Sequence, residues 1–512
     1  MRRISPFLAL ALGGCMVGPN YRAPATPAPA QYGETAPGQS ALPGGSLDGW
    51  WRAYQDPELN RLVDIALADG LDIKTAGARI AEARAQERVA RSSLFPQVNA
   101  DAQVQSQRFS KNAGLSSLAS AFGGGAQSGG QGGSTGGSGG QSASGIALPG
   151  AFVTTYSLGF DASWELDLFG GTRRQIQGAA ARTEAAVWNA RDAQISLVAE
   201  VVDDYFQIRQ AQAREAVARA EVARQARNLQ IMGETARVGL VPEGDTIRQR
   251  AQLAQAQAAI GPIVAEGKSE MHALAVLLAR TPDAMIRELS QAGVELPTPP
   301  MVPPGLPSDL LRRRPDVRAA ERNLAAATAD IGVAVADLYP RFSLTGLADL
   351  ISTKLSNLFS SDSLQVNGTA RATFPLLDFG RRKGMVAQRK AQADEAYYQY
   401  QQTVLGALKD VEDALIRIRT EQQRNAELRG GLADARRGLA AVEARYKTGL
   451  VDLTTVLGAQ QSVLQDRDLL VQSDAQLRRD LVSLYKALGG GWESMPTVDG
   501  RATPAAAYET AK

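Results

Sequence analysis

FVTTYSLGFDASWEL, from Phe152 to Leu166, is the stretch that decides the fold. Its even positions carry Phe152, Thr154, Tyr156, Leu158, Phe160, Ala162, Trp164 and Leu166; its odd positions carry Val153, Thr155, Ser157, Gly159, Asp161, Ser163 and Glu165. Alternation with a period of two predicts a β-strand with one apolar and one polar face. A partner precedes it, with Val98, Ala100, Ala102 and Val104 set against Gln97, Asn99, Asp101, Gln103 and Gln105. The pattern returns late in the chain, in Phe342, Leu344, Ala348 and Leu350 and again in Leu364, Val366, Ala370, Ala372 and Phe374. A soluble sandwich with one wet face would read similarly. The polar face, however, is nearly all Gln, Asn, Ser, Thr and charge, as a water-filled lumen requires. The strands also exceed the ~9–11 residues that a tilted strand needs to cross a bilayer. Bacterial barrels have at least about eight strands, and hydrocarbon does not tolerate open sheet edges. Four strands per chain therefore call for closure between chains.

Around these strands the chain is written twice. A shift of 244 superposes Asp72 on Asp316, Ala76 on Ala320, Val89 on Val333 and Pro96 on Pro340; a shift of 210 matches Phe169-Gly170 with Phe379-Gly380 and Gly239-Leu240 with Gly449-Leu450. An insertion in the first copy absorbs the difference. Residues 112–160 carry no charge, and 12 of the 23 residues from Gly123 to Gly145 are glycine, which reads as a flexible loop. It matches no phosphate loop, lacking a Gly-Lys-Ser/Thr ending. A duplication of this length makes each half one structural unit with the same element order.

Each strand pair is followed by a stretch without proline, Gly171 to Val238 and Arg381 to Thr448. As helix, each would extend about 100 Å at 1.5 Å per residue. Ile195, Val198, Val202 and Tyr205 are spaced 3-4-3, and Val456, Val463, Leu470, Leu477 and Leu484 recur every seven residues. Such a seam predicts coiled-coil-like packing.

Composition excludes several chemistries. The 55 Lys+Arg and 53 Asp+Glu give a net charge of +2, without the clustered basic excess of a nucleic-acid binder. One cysteine and one histidine rule out a disulfide framework, a Cys/His zinc site and an iron–sulfur cluster. His272 reads as a packing residue, Asp203-Asp204 as carboxylates on a solvated helix, and Arg312-Arg313-Arg314 as a cation cluster available to carboxylates of another subunit. No nucleophile, base and orienting group assemble, so no enzyme is expected.

The single cysteine is placed where it carries meaning. Arg2 and Arg3 precede the apolar run Ile4 to Leu12, then Gly13, Gly14 and Cys15. The run is too short to span a bilayer but fits a signal-peptide core. The arrangement resembles a bacterial lipoprotein signal, which implies cleavage before Cys15, with S-diacylglycerol and N-acyl groups on that residue. Met16 in place of Asp implies sorting to the outer membrane.

With Cys15, Val17-Gly18-Pro19-Asn20-Tyr21, Trp50-Trp51, Tyr54, Asp56-Pro57, Leu59 and the run from Leu306 to Val317 (LPSDLLRRRPDV) in hand, the chain resembles the TolC-type outer-membrane factors, in their lipidated nodulation-protein-T-like branch. The match runs from Cys15 to about Leu488. The resemblance implies a mixed α/β membrane protein. Four transmembrane β-strands per chain would complete a twelve-stranded barrel in a trimer, continuous with a long periplasmic α-helical barrel. It implies a passive duct for efflux of small molecules, working with a periplasmic adaptor and an inner-membrane transporter, with no cofactor beyond the covalent lipid and no nucleic acid. A type I protein-secretion duct is the alternative within the family, and a non-conducting periplasm-spanning coiled-coil lipoprotein the alternative outside it.

The expected organisation is a signal peptide at 1–14, a lipid-anchored extended segment at 15–49, a first repeat at 50–296, a proline-rich connector at 297–307, a second repeat at 308–488 and a flexible tail at 489–512. In the first repeat a hairpin at about 95–168 encloses the Gly-rich loop 111–150, followed by a long helix at about 171–238, a tip turn at 239–245 and a return helix at about 246–280. The second has strands at about 340–351 and 362–377, a long helix at 380–448, a tip turn at 449–452 and a return helix at 453–488. By resemblance, Gly239, Asp245, Tyr446, Gly449 and Asp452 belong to the periplasmic tip, where Asp245 and Tyr446 link neighbouring coils and hold the tip shut. A plain helix N-cap is the competing role for Asp245. The carboxylates that relatives often place nine and twelve positions after the tyrosine are absent, since Thr455 and Gly458 stand there.

Overall fold

A computed structural model describes residues 16–25, 29, 32–34, 47–108, 152–239, 242–290 and 313–498. The signal peptide, Cys15, the Gly-rich loop, the connector and residues 499–512 lie outside the described residues. The chain divides into a sheet-bearing unit and a helical unit.

The sheet has four antiparallel strands in sequence order: β1 (Gln97–Arg108), β2 (Phe152–Leu166), β3 (Arg341–Ser352) and β4 (Leu364–Thr373). Its register gathers most apolar positions on one face, with Val153, Leu347 and Ile351 as exceptions on the other. One row runs Ala100, Phe160, Ala348 and Val366; the next runs Ala102, Leu158, Leu350 and Leu364. On the other face Gln97, Ser163, Thr345 and Thr369 share a row. A slip of one residue at any pairing would turn a whole strand over, so the four patterns specify the register together. β4 stops at Thr373, two residues before Pro375, which has no N–H for the ladder.

The helices repeat with the same arithmetic. α1 (Pro57–Asp69) leads into α2 (Leu71–Ser92), which has the 22 residues of α7 (Pro315–Ala336). The long helices α3 (Gly171–Arg237) and α8 (Arg381–Lys447) have 67 residues each. Both begin against a carboxylate: Asp167 accepts from the Thr172 and Arg173 amides at 3.1 and 2.9 Å, and Asp378 from the Gly380 and Arg382 amides at 3.0 and 3.3 Å. These bonds satisfy helix-end donors that would otherwise have no partner.

The return segments differ between copies. The second is one helix, α9 (Leu453–Ala487). The first, expected as a single helix to about residue 280, breaks into α4 (Glu243–Ala258) and α5 (Ile260–Leu277), with α6 (Pro282–Leu289) beyond. Pro262 is the cause. It offers no amide to the carbonyl four residues back, at Ala258, where α4 ends.

The core of the helical unit gathers Trp50, Tyr54, Leu59, Leu62, Val198, Val202, Tyr205, Phe206 and Leu274. Burying each of these leucines and valines contributes about 1.5–3 kcal/mol. The Asp56-Pro57 motif caps α1: Asp56 accepts from the Glu58 and Leu59 amides at 2.9 and 3.2 Å, and its second oxygen takes the buried Tyr205 hydroxyl. Residues 489–498 correct the expectation of a flexible tail. Gly489, Gly490 and Gly491 all take positive φ and turn the chain back. Trp492 then sits edge-on to Trp188, with its indole N–H donating 2.7 Å to the Arg313 carbonyl, and Met495 is buried in the core.

Candidate functional site

Two parts of the molecule carry the functional expectations: the wall formed by the sheet and the turns at the far ends of the long helices. In a single chain β1 and β4 are exposed along their whole length, and their outer edges carry no partner strand among the described residues. On the apolar face Val98, Phe160, Val366 and Leu364 stand open to the surroundings. That face would be an error in water and fits hydrocarbon. On the polar face Asn99 donates 3.2 Å to Asp161; on the apolar face, at the end of the β1–β2 pairing, Thr154 donates 3.3 Å to Ser106. No helix among the described residues is long and apolar enough to cross a membrane.

At the turns, α8 ends in a left-handed Gly449 (φ 73), with the Gly449 amide on the Tyr446 carbonyl and the Leu450 amide on the Arg445 carbonyl, both at 2.9 Å. This paired closure needs a residue that enters the left-handed region without strain. Gly239 ends α3 with the same φ of 73 and an amide bond of 3.0 Å to Ala236. Leu240 and Val241 lie outside the described residues.

Asp452 is the N-cap of α9. It accepts from the Thr455 amide at 2.9 Å and the Thr455 hydroxyl at 2.6 Å, and these two bonds hold its carboxyl below the usual carboxylate range. Asp245 is not the helix N-cap. Pro242 is the N-cap of α4, so Asp245 sits within the first turn, where it accepts a 2.6 Å bond from Arg248. A carboxylate there also meets the positive end of the helix dipole. Tyr446 is 40% exposed in the last turn of α8. Among the described residues no hydrogen bond joins Asp245 to Tyr446 within one chain. Shifted by 210, Asp245 falls on Thr455 and Arg248 on Gly458. The first turn thus keeps an ion pair that the second lacks. Gly458 and Leu457 line a groove of about 740 Å³ with Val217, Ala256, Pro262 and Ile263.

Three readings of isolated residues change. His272 is exposed on α5, while Met271, Leu274 and Ala275 face inward. Arg314 is not available to another subunit: it bonds Asp316 at 2.7 Å, Asp410 at 3.1 Å and the Ala487 carbonyl at 3.1 Å. It ties the start of α7 to α8 and to the end of α9. Asp203 and Asp204 are not on a solvated face. Asp203 accepts from Arg479 of α9 at 2.9 Å and from Gln207 at 2.9 Å. Burial, then the charges of Glu270, Asp203 and Glu200, push the Asp204 carboxyl up to about 7, with Arg479 opposing. Sequence reasoning missed this cluster because Glu270 and Arg479 are brought to it by tertiary packing alone.

The chain thus combines a two-faced sheet, its edges unpaired among the described residues, with two helices of 67 residues each. The outer membrane efflux protein family matches residues 62–262 and 306–490. The chain belongs to it. It is 30% identical over 490 residues to outer membrane protein OprJ of Pseudomonas aeruginosa, covering 95% of each protein. Among solved structures it is similar to the outer-membrane channel OprN, with 33% identity and a TM-score of 0.80 over 94% of this chain and 100% of that one. It is similar also to the open state of the Neisseria gonorrhoeae MtrE outer membrane channel, with 25% identity and a TM-score of 0.75 over 94% and 99%. The fold class is that of this family, a small antiparallel β domain joined to a helical barrel wall.

Proposed function

We propose that this chain is the outer-membrane channel of a tripartite efflux system. The carrying observation is the four-stranded sheet, apolar on one face and polar on the other, with both edges open. Three copies would close such sheets into a twelve-stranded barrel, because strand edges cannot face hydrocarbon. Small molecules would enter from a periplasmic adaptor joined to an inner-membrane transporter and leave through the lumen. Membership in the efflux family, together with the likeness to OprJ, favours this reading over protein secretion.

Two finer elements belong to the same proposal. Cys15 carries the lipid anchor. Asp245 and Tyr446 close the periplasmic end by bonding between neighbouring coils. The Arg248 contact supports the second element, because it fixes the Asp245 side chain at the turn, where a phenol could donate to it. Purified trimers in planar bilayers test both levels. Asp245→Ala with Tyr446→Phe should raise single-channel conductance at unchanged trimer yield. Unchanged conductance would overturn the gate, and trimers that never conduct would favour a structural strut over a duct.

A further inference from the structure

The residues directly after Cys15 are built into the sheet-bearing unit. The Val17 amide donates 3.1 Å to the Phe169 carbonyl, three residues past the end of β2. Gly18 takes a φ of +88 and lies so close to α7 that a methyl group on it would meet the Gly332 Cα at 2.6 Å. Gly170, with a φ of +78, receives Met16 in the same way, at 2.8 Å from the Met16 Cα. Gly332 in turn makes room for the stem of Arg174, whose Cδ a methyl would meet at 2.7 Å. Three segments far apart in sequence therefore interlock through three glycines.

Arg174 completes the clamp. It is 1% exposed, and its guanidinium donates from Nε to the Val17 carbonyl at 3.1 Å and from Nη2 to the Gly18 carbonyl at 3.2 Å. A buried guanidinium is tolerated only when such acceptors surround it. At the same end of the sheet, next to the strand ends, Phe95, Phe374 and Leu376 are exposed, and Phe169 stacks on Tyr339 at 4.6 Å. Aromatic residues at strand ends mark the bilayer boundary of a membrane barrel.

We propose that Arg174 is a positioning residue that seats Met16–Gly18 as a strap, and so fixes a lipid on Cys15 at the rim where β2 gives way to α3. This rests on the reading of Cys15 as the lipid-bearing residue. Cys15 precedes the seated Met16 by one residue, a Cα–Cα step of ~3.8 Å. The acyl chains therefore enter the leaflet beside the exposed aromatic belt without a free tether. The Val17-Gly18 pair that opens the Val-Gly-Pro-Asn-Tyr motif acquires a physical role: it is the part of the motif that the clamp holds.

A nitroxide on Pro19→Cys reads the strap in membranes, with fatty-acid labelling of Cys15 followed in parallel. The spin label should be immobile in the otherwise unmodified protein. Arg174→Met and Gly18→Ala should each shorten its rotational correlation time roughly tenfold, into the fast nanosecond range of free chain ends. Arg174→Lys, which keeps the charge but loses the forked donors, should fall between. Trimer yield and fatty-acid labelling should not change. If Arg174→Met fails to accumulate, Gly18→Ala carries the test, since it attacks the clamp from the strap side. A label equally immobile in all variants overturns the clamp. A mobile label in the variants, with no fatty acid on Cys15 of the unmodified protein, overturns the anchor and leaves the strap standing.

Discussion

Placing one arginine on each face of β2 separates a membrane wall from a soluble sheet. Phe160 lies mid-strand in the row Ala100, Phe160, Ala348, Val366 and is 62% exposed in the single chain. Ser163, three residues on, lies in the polar row Gln97, Ser163, Thr345, Thr369. In a barrel, Phe160→Arg puts a guanidinium near mid-bilayer at a cost of about 2–4 kcal/mol per copy, hence about 6–12 kcal/mol per trimer. Such a cost is comparable with the whole stability of an ordinary domain. Ser163→Arg puts the same group in water, where its cost is close to zero. Gel electrophoresis of unheated outer-membrane fractions reads assembly directly. The trimer band should be lost for Phe160→Arg and retained for Ser163→Arg. Equal assembly of the two variants would refute the lipid-facing assignment and the duct built on it.

Asp204→Asn should stabilise the helical unit in alkaline more than in acidic solution. The folded carboxyl titrates at about 7, above its unfolded value, so its ionised form is penalised in the folded state. The penalty is absent below about pH 4, grows between about pH 4 and 7, and is full above that window; a thermal midpoint gain equal at pH 5 and pH 8 would contradict this account. Tyr205→Phe removes the donor on buried Asp56 and should cost about 1–3 kcal/mol in denaturant unfolding, with little change in m-value. Gly490→Ala adds a methyl 2.6 Å from the Ile195 Cγ2 at a φ of +57, and should lower the thermal midpoint while leaving the sheet signal in circular dichroism unchanged. Deleting Gly123–Gly145 should preserve assembly and export, because the second repeat joins its strands without such a segment; loss of the trimer would show that the loop packs.

Strands and long helices were legible because each is specified by a local period. The even positions of β2 and the 3-4 spacing of Ile195, Val198 and Val202 are read within one element, and all three of these aliphatics are buried. The duplication added the register between copies. What stayed hidden depends on contacts between distant segments. Asp204 owes its character to Glu270 and Arg479, and Arg174 owes its burial to carbonyls more than 150 positions upstream. Trp492 looked like part of a tail because its docking partners, Trp188 and the Arg313 carbonyl, lie elsewhere in the chain. The break at Pro262 is local to the first copy, while the heptad run from Val456 to Leu484 lies in the second, which has no proline there.

The equal lengths of α3 and α8 bear on how such a chain can change over generations. One residue inserted into either helix would rotate everything beyond it by about 100° and advance it by about 1.5 Å. The buried row Val198, Val202, Tyr205 would then turn away from its neighbours, while the other 67-residue helix kept its old phase. A lone insertion or deletion is thus purged, whereas paired changes in both copies, taken seven residues at a time, nearly restore the seam. The span can therefore be lengthened or shortened only in matched heptads, and single-residue length drift is expected in the loops that join the helices and strands.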